Sequence, residues 1–235
     1  MSNLAGHHIV VTRAAAQAGP LVDELERRGA HAVPVPTIEV VKRAEAADEV
    51  ATIRSRGVAF IVVTSVNALD IVGEPAHNLA VVGEATAAEA RRLGHTVAIV
   101  APEGTAGSLV RSVRAPDTGD RLLVVQGSAA MPAVTSGLAA NGWDVEVVTA
   151  YDTIAAPRLD HMVARIGSAS AVVFTSPSTA ANFVAMYGLE LLPPNVIAIG
   201  PTTAAACSSL GLMVTVTSET RSPIGMADAC ERALA

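Results

Sequence analysis

Lysine is almost missing from this chain: Lys42 stands alone beside fifteen arginines in 235 residues. The phosphate-gripping string G-x-x-x-x-G-K-[ST] does not occur, and neither does G-x-G-x-x-G, so ATPase and dinucleotide chemistry lose their signatures. Lys42 follows a Val-rich extended segment and reads as a surface residue, which speaks against Schiff-base catalysis. Cysteine is equally scarce. Cys207 and Cys230 are read as helix-packing thiols rather than a disulfide or a metal pair. The six histidines form no H-x-x-x-H or Cys/His cluster, and His7 and His8 are adjacent, so a strand would point them to opposite faces. No metal and no cofactor are expected. Aromatics make up only 3% of a chain that is 51% hydrophobic, so the core is expected to be Val, Ala, Ile and Leu. That mixture suits buried parallel strands under Ala-rich helices. No run reaches the roughly 18 apolar residues of a membrane span, and no charged segment precedes a long apolar stretch near Met1. The expectation is a cytoplasmic protein with no membrane partner. A net charge of −6 also argues against a nucleic-acid surface.

What the chain does contain is a repeat. Two kinds of unit alternate. The first kind is HHIVVTRAAAQAGPLVDELERRGAHAVPVPTIEV, matched later by RLLVVQGSAAMPAVTSGLAANGWDVEVVTAYDTI. Each reads as strand (Ile9 to Thr12; Leu122 to Gln126), loop, helix (about Pro20 to Arg28; from near Pro132), glycine cap (Gly29; Gly142) and second strand. The second kind runs VAFIVVTSVNALDIV…LAVVGEATAAEARRLGHTVAIV and recurs as ASAVVFTSPSTAANFV…VIAIGPTTAAACSSLGLMVTVT. Strand, T-S-x-x-A turn, helix, strand ending in glycine, helix and final strand follow in the same order. Apolar runs of four to six residues alternating with helices indicate α/β architecture with parallel sheets. Periodicity leaves the pairing of units open. A boundary near Ala101 to Asp120 would make two contiguous domains. Crossings near 37–41 and 151–157 would make the middle units an inserted domain.

These motifs, taken in order, resemble uroporphyrinogen-III synthases. The resemblance rests on VTR after the first strand, on P-x-P-T-I-E-V, and on the paired FIVVTS-x-N-A and AVVFTS-x-S-T-A. VVGEATAAEARRLG with AIGPTTAAACSSLG, and V-x-x-A-Y-D-T around Tyr151, complete it. It covers essentially the whole chain and implies two similar flavodoxin-like domains joined by a two-stranded linker around an open cleft. One would comprise residues 1–36 with 155–235, the other 37–154. It also implies closure of the linear octacarboxylate hydroxymethylbilane into an asymmetric ring with inversion of the terminal pyrrole and loss of water. The protein would be a cofactor-free lyase of tetrapyrrole biosynthesis and a monomer, with the preceding pathway enzyme as a candidate partner. The alternative is a non-catalytic ligand-binding or regulatory protein on the same fold. The pattern departs from the family at Ala14, where proline usually follows VTR, and at Gln126-Gly127, where Arg-Gly is usual. A basic residue usual a few positions later is absent from Ala129, Ala130 and Met131.

Loops that follow the C-terminal ends of parallel strands form the binding crevice. Here those loops carry Thr12 and Arg13; Thr64, Ser65 and Asn67; Gly83 and Thr86; Thr175, Ser176 and Ser178; and Gly200, Thr202 and Thr203. All open helices, whose free amides bind carboxylates without lysine. An acidic protein could thereby hold a polyanion. Each Ser or Thr can equally be an ordinary helix cap. Tyr151 stands at the presumed crossover. It is either an aromatic plug or, as the resemblance implies, a phenol facing the cleft that helps expel the substrate hydroxyl. Tyr187, at the end of an outer helix before Gly188, is expected to tolerate loss of its hydroxyl.

Overall fold

The structure is a computed structural model that describes residues 4–235. The chain runs β1 (His8–Val11), α1 (Ala15–Arg27), β2 (His31–Pro34), β3 (Ile38–Lys42), α2 (Ala46–Ser55) and β4 (Phe60–Val63). A 3-10 helix (Val66–Val72), β5 (Leu79–Val81), α3 (Glu84–Arg92), β6 (Val97–Val100), α4 (Ala106–Ser112) and β7 (Arg121–Gly127) follow. Then come α5 (Ala133–Ala140), β8 (Asp144–Ala155), α6 (Val163–Gly167), β9 (Ala171–Phe174) and α7 (Pro177–Tyr187). Last are β10 (Asn195–Ala198), α8 (Pro201–Ser209), β11 (Val216–Thr217) and α9 (Pro223–Leu234). No helix among the described residues is long and apolar enough to cross a membrane.

The chain divides into two compact units, Met1–Glu39 with Ile154–Ala235, and Val40–Thr153. In the first, the strand order is β11-β10-β9-β1-β2. All its pairings are parallel, and β1 lies between β2 and β9 through Val10↔Val33 and Val10↔Val172. Read from β2, this is the flavodoxin-like order 2-1-3-4-5. Period-2 alternation splits β1 between two cores. Ile9 and Val11 pack with Leu21, Leu25 and Met226 of α1 and α9, whereas Val10 packs with Val33, Phe174 and Phe183.

The second sheet has the order β3-β8-β7-β4-β5-β6. Without its edge strand β3, it repeats the same 2-1-3-4-5 plan, with β7 and β8 coming after β4 to β6 in the chain instead of before. Leu123 and Val125 of β7 face Val50, Leu69 and Tyr151, while Leu122 and Val124 face Leu109, Leu138 and Trp143. Burying each such Val or Leu contributes about 1.5–3 kcal/mol before chain entropy is subtracted. Strands β3 and β8 both cross the boundary between units. They are bonded through Arg43 N–H to the Ala150 carbonyl (3.0 Å) and Ala156 N–H to the Thr37 carbonyl (3.1 Å).

Two local expectations need correction. Helix α1 begins at Ala15, not near Pro20, which sits exposed inside the helix. Proline reads as a helix start because N1 tolerates it. Here the preceding Ala-Ala-Gln-Ala run is already helical, and both Pro20 and Ala16, the residue whose carbonyl would have received its missing N–H, are exposed. The first T-S-x-x-A turn opens a 3-10 helix. Its Val, Asn, Asp and Ile are weak formers of α-helix.

Candidate functional site

In the first unit the parallel strands deliver β1, β9, β10 and β11 to one edge, where the loops gather. Thr12 turns inward: it is fully buried and its hydroxyl donates to the Val173 carbonyl at 2.8 Å. Arg13 is half-buried, with Nε donating to Gln17 Oε1 at 3.3 Å, and burial lowers its pKa. Ser176 and Thr179 form a reciprocal capping box on α7, and the Ser176 hydroxyl also meets that of Ser178 at 2.9 Å. Helix α8 opens differently. Gly200 provides no side-chain cap and Pro201 has no N–H, so the first-turn amides of Thr202 and Thr203 lack a side-chain partner.

Thr175, Ser176, Gly200, Thr202, Thr203 and Arg221 line one cavity of about 280 Å3. Five of these were expected from the sequence; Arg221 was not. Its guanidinium Nε lies 3.4 Å from where a Cβ on Gly200 would stand, so the cation rests against the backbone that opens α8. Eleven of the fifteen arginines pair with carboxylates. Arg13 and Arg221, each following a strand of this sheet, have no carboxylate within ion-pair distance among the described residues. A guanidinium without a counter-charge beside uncapped amides suits an anionic group supplied from outside. The only signal for Arg221 was a basic residue just ahead of the Ser-Pro start of α9.

The corresponding edge of the second unit has another character. Ser65 accepts Asn67 N–H at 3.3 Å and so caps the 3-10 helix. Gly83 opens α3 without a side-chain cap, but Glu84 already occupies the first turn and pairs with Arg91 at 2.7 Å. A carboxylate there meets the helix dipole from within the protein. Thr86 is buried. A cavity of about 380 Å3 is lined by Thr64, Ser65 and Tyr151 together with Val82, Met131 and Val134, and none of the described residues that border it is charged. Asn67, Gly83 and Thr86 are not on its wall.

Tyr151 is 8% exposed, and its ring covers Gly127. Its carbonyl accepts Ser128 N–H at 2.9 Å, and its hydroxyl has no hydrogen-bond partner among the described residues. The adjacent Asp152 is gripped by Arg43 through Nε (2.9 Å) and Nη2 (3.1 Å). Those bonds, then one from the Ser128 hydroxyl, hold its carboxyl down at about 2. Met131 is 77% exposed at the rim. Tyr187 is no loosely held outer residue. It is 1% exposed, and its hydroxyl accepts Leu159 N–H at 3.0 Å.

The sequence model of the family described as uroporphyrinogen-III synthase HemD matches residues 19–228. The chain belongs to this family. A curated uroporphyrinogen-III synthase of Chlorobaculum parvum is 29% identical over 230 residues, covering 90% of this chain and 92% of the relative. That of Synechococcus elongatus is 27% identical, covering 88% of each. Solved uroporphyrinogen III synthases share the fold. A Thermus thermophilus mutant structure superposes with TM-score 0.64 at 19% identity, covering 97% of this chain and 99% of that one. The Helicobacter pylori protein gives 0.65 at 16% identity, covering 95% and 98%. The two-domain α/β reading and the family reading of the motifs both stand.

Proposed function

We propose that the chain is a lyase that closes hydroxymethylbilane into the asymmetric uroporphyrinogen ring and releases one water. The observation that carries this is the family match over residues 19–228. The site chemistry supports it. Loss of the terminal hydroxyl leaves an azafulvene. Attack by the substituted position of the terminal pyrrole gives a spiro intermediate, whose rearrangement inverts that ring before closure. The substrate is reactive enough to close unaided to the symmetric isomer, so the enzyme has to hold a conformer more than it has to activate a bond.

In this reading the substrate's carboxylates meet Arg13, Arg221, the Ser176 and Ser178 hydroxyls and the amides at Thr202 and Thr203. Thr175, Thr64 and Ser65 add polar contacts, and the Tyr151 phenol donates toward the departing hydroxide. Thr12, Thr86 and Thr203 keep their side chains inward and shape the loops. Asn67 and Gly83 set the helix starts. The enzyme works as a cytoplasmic monomer and receives its labile substrate from the enzyme of the preceding step.

The test is incubation with freshly prepared hydroxymethylbilane, followed by oxidation and chromatographic separation of the ring isomers. The asymmetric isomer should dominate. Arg221→Gln should raise the apparent KM about tenfold, the loss of roughly one charge-assisted hydrogen bond. Only the symmetric isomer, at the spontaneous rate, would favour the non-catalytic alternative.

A further inference from the structure

Gly127 ends β7 at a register shift between Gln126 and Gly127, where the strand parts from β8. Its φ is not among the positive values that glycines such as Gly119 and Gly142 adopt, so the backbone here does not require glycine. Space does. A Cβ at this position would lie 2.6 Å from Cε2 and from Cζ of Tyr151 and 2.9 Å from its hydroxyl oxygen. Carbon atoms in contact prefer about 3.5–4.0 Å, so a methyl group would push the ring aside by about 1 Å.

The displaced ring belongs to the uncharged cavity of about 380 Å3, whose other walls include Val82, Ala130 and Val134. That lining suits the flat, uncharged pyrrole of a substrate better than its carboxylates. We infer that Gly127 is a positioning residue for the cyclisation. By lacking a side chain it lets the Tyr151 ring lie across the end of β7, and so fixes where the phenol stands against a pyrrole seated in this cavity. The inference rests on the proposed cyclisation. It adds that the glycine acts through the tyrosine and through nothing else.

The experiment is a cycle of four proteins: the parent, Gly127→Ala, Tyr151→Leu and the double variant. Each is assayed with hydroxymethylbilane for isomer ratio, turnover and KM, and for melting temperature without substrate. In the parent background, Gly127→Ala should lower turnover to the asymmetric isomer by up to about 10²-fold, the effect of a 1 Å misplacement, with KM changed less than about threefold. In the Tyr151→Leu background the leucine leaves room for the methyl, and the same change should alter turnover, isomer ratio and melting temperature by little. The idea is overturned if Gly127→Ala leaves the parent's turnover and isomer ratio intact. Equal losses in both backgrounds overturn it too, because the glycine would then act on something other than the ring. Should Gly127→Ala fold poorly, the melting temperatures alone complete the cycle: rescue by Tyr151→Leu supports the coupling and no rescue refutes it. A parent that forms no asymmetric isomer refutes the proposed function instead, a result that the melting data cannot mimic.

Discussion

The chain's two tyrosines do opposite work. Tyr187 uses its hydroxyl inside the protein, accepting Leu159 N–H, and Arg158 lies over its ring at 5.4 Å. Tyr151 is packed at its ring and has no hydrogen-bond partner at its oxygen among the described residues. Removing the first hydroxyl leaves a backbone donor without an acceptor, so Tyr187→Phe should lose about 1–3 kcal/mol in urea unfolding. Tyr151→Phe should stay within about 1 kcal/mol of the parent and move the isomer ratio toward the symmetric ring. Similar stability losses for the pair would show that the Tyr151 oxygen has a structural bond after all. Tyr187 therefore makes a poor silent control, contrary to its place in the sequence. A glycine just after a helix reads as an exposed end, whereas the ring turns back over the following segment. Thr12 carries the same lesson. A hydroxyl at the end of a strand can face the loop or the neighbouring strand, and only the pairing with β9 decides that it faces Val173.

Helix starts were legible as positions and only partly as roles. The serines ahead of Pro177 and Pro223 are both caps, Ser176 accepting Thr179 N–H and Ser222 accepting Gly225 N–H. Replacing either by alanine should remove about 1 kcal/mol of stability. Only Ser176 also lines the cavity with Arg221. Ser176→Ala should therefore raise the apparent KM for hydroxymethylbilane while Ser222→Ala leaves it alone, as steady-state kinetics on the two stable variants would show. Identical kinetics would reduce Ser176 to a cap. The glycine-opened helices α3 and α8 looked equivalent in sequence, since both follow a strand ending in glycine. Glu84, already paired with Arg91, and Arg221, arriving from a loop 20 residues further on, separate them. The first difference is written beside the motif. The second depends on β11, a strand of two residues that carries almost no periodic signal.

At the scale of the molecule, α/β class and the alternation of two unit types were legible because buried parallel strands leave dense apolar runs. Which units share a sheet was not, because both kinds have the same rhythm. The pairing of β1 with β9 supplies the answer, and it makes one unit the circular permutant of the other in strand order. That order also has a calendar. Val40–Thr153 holds every strand of its own sheet except part of β3 and the end of β8, so it can fold once it has left the ribosome. Strands β1 and β2 are made first yet must wait for β9 to β11. At 5–20 residues per second, the segment that supplies them takes roughly 4–16 s more to appear. During that interval Ile9, Val10 and Val11 have only β2 and α1 to cover them. Limited proteolysis of chains arrested at increasing length should find Val40–Thr153 resistant while the first 39 residues are still cut. Simultaneous protection of both would mean that the units assemble as one. The oldest residues of each new molecule are thus the last to be sheltered, and for those seconds they are the ones a chaperone would meet.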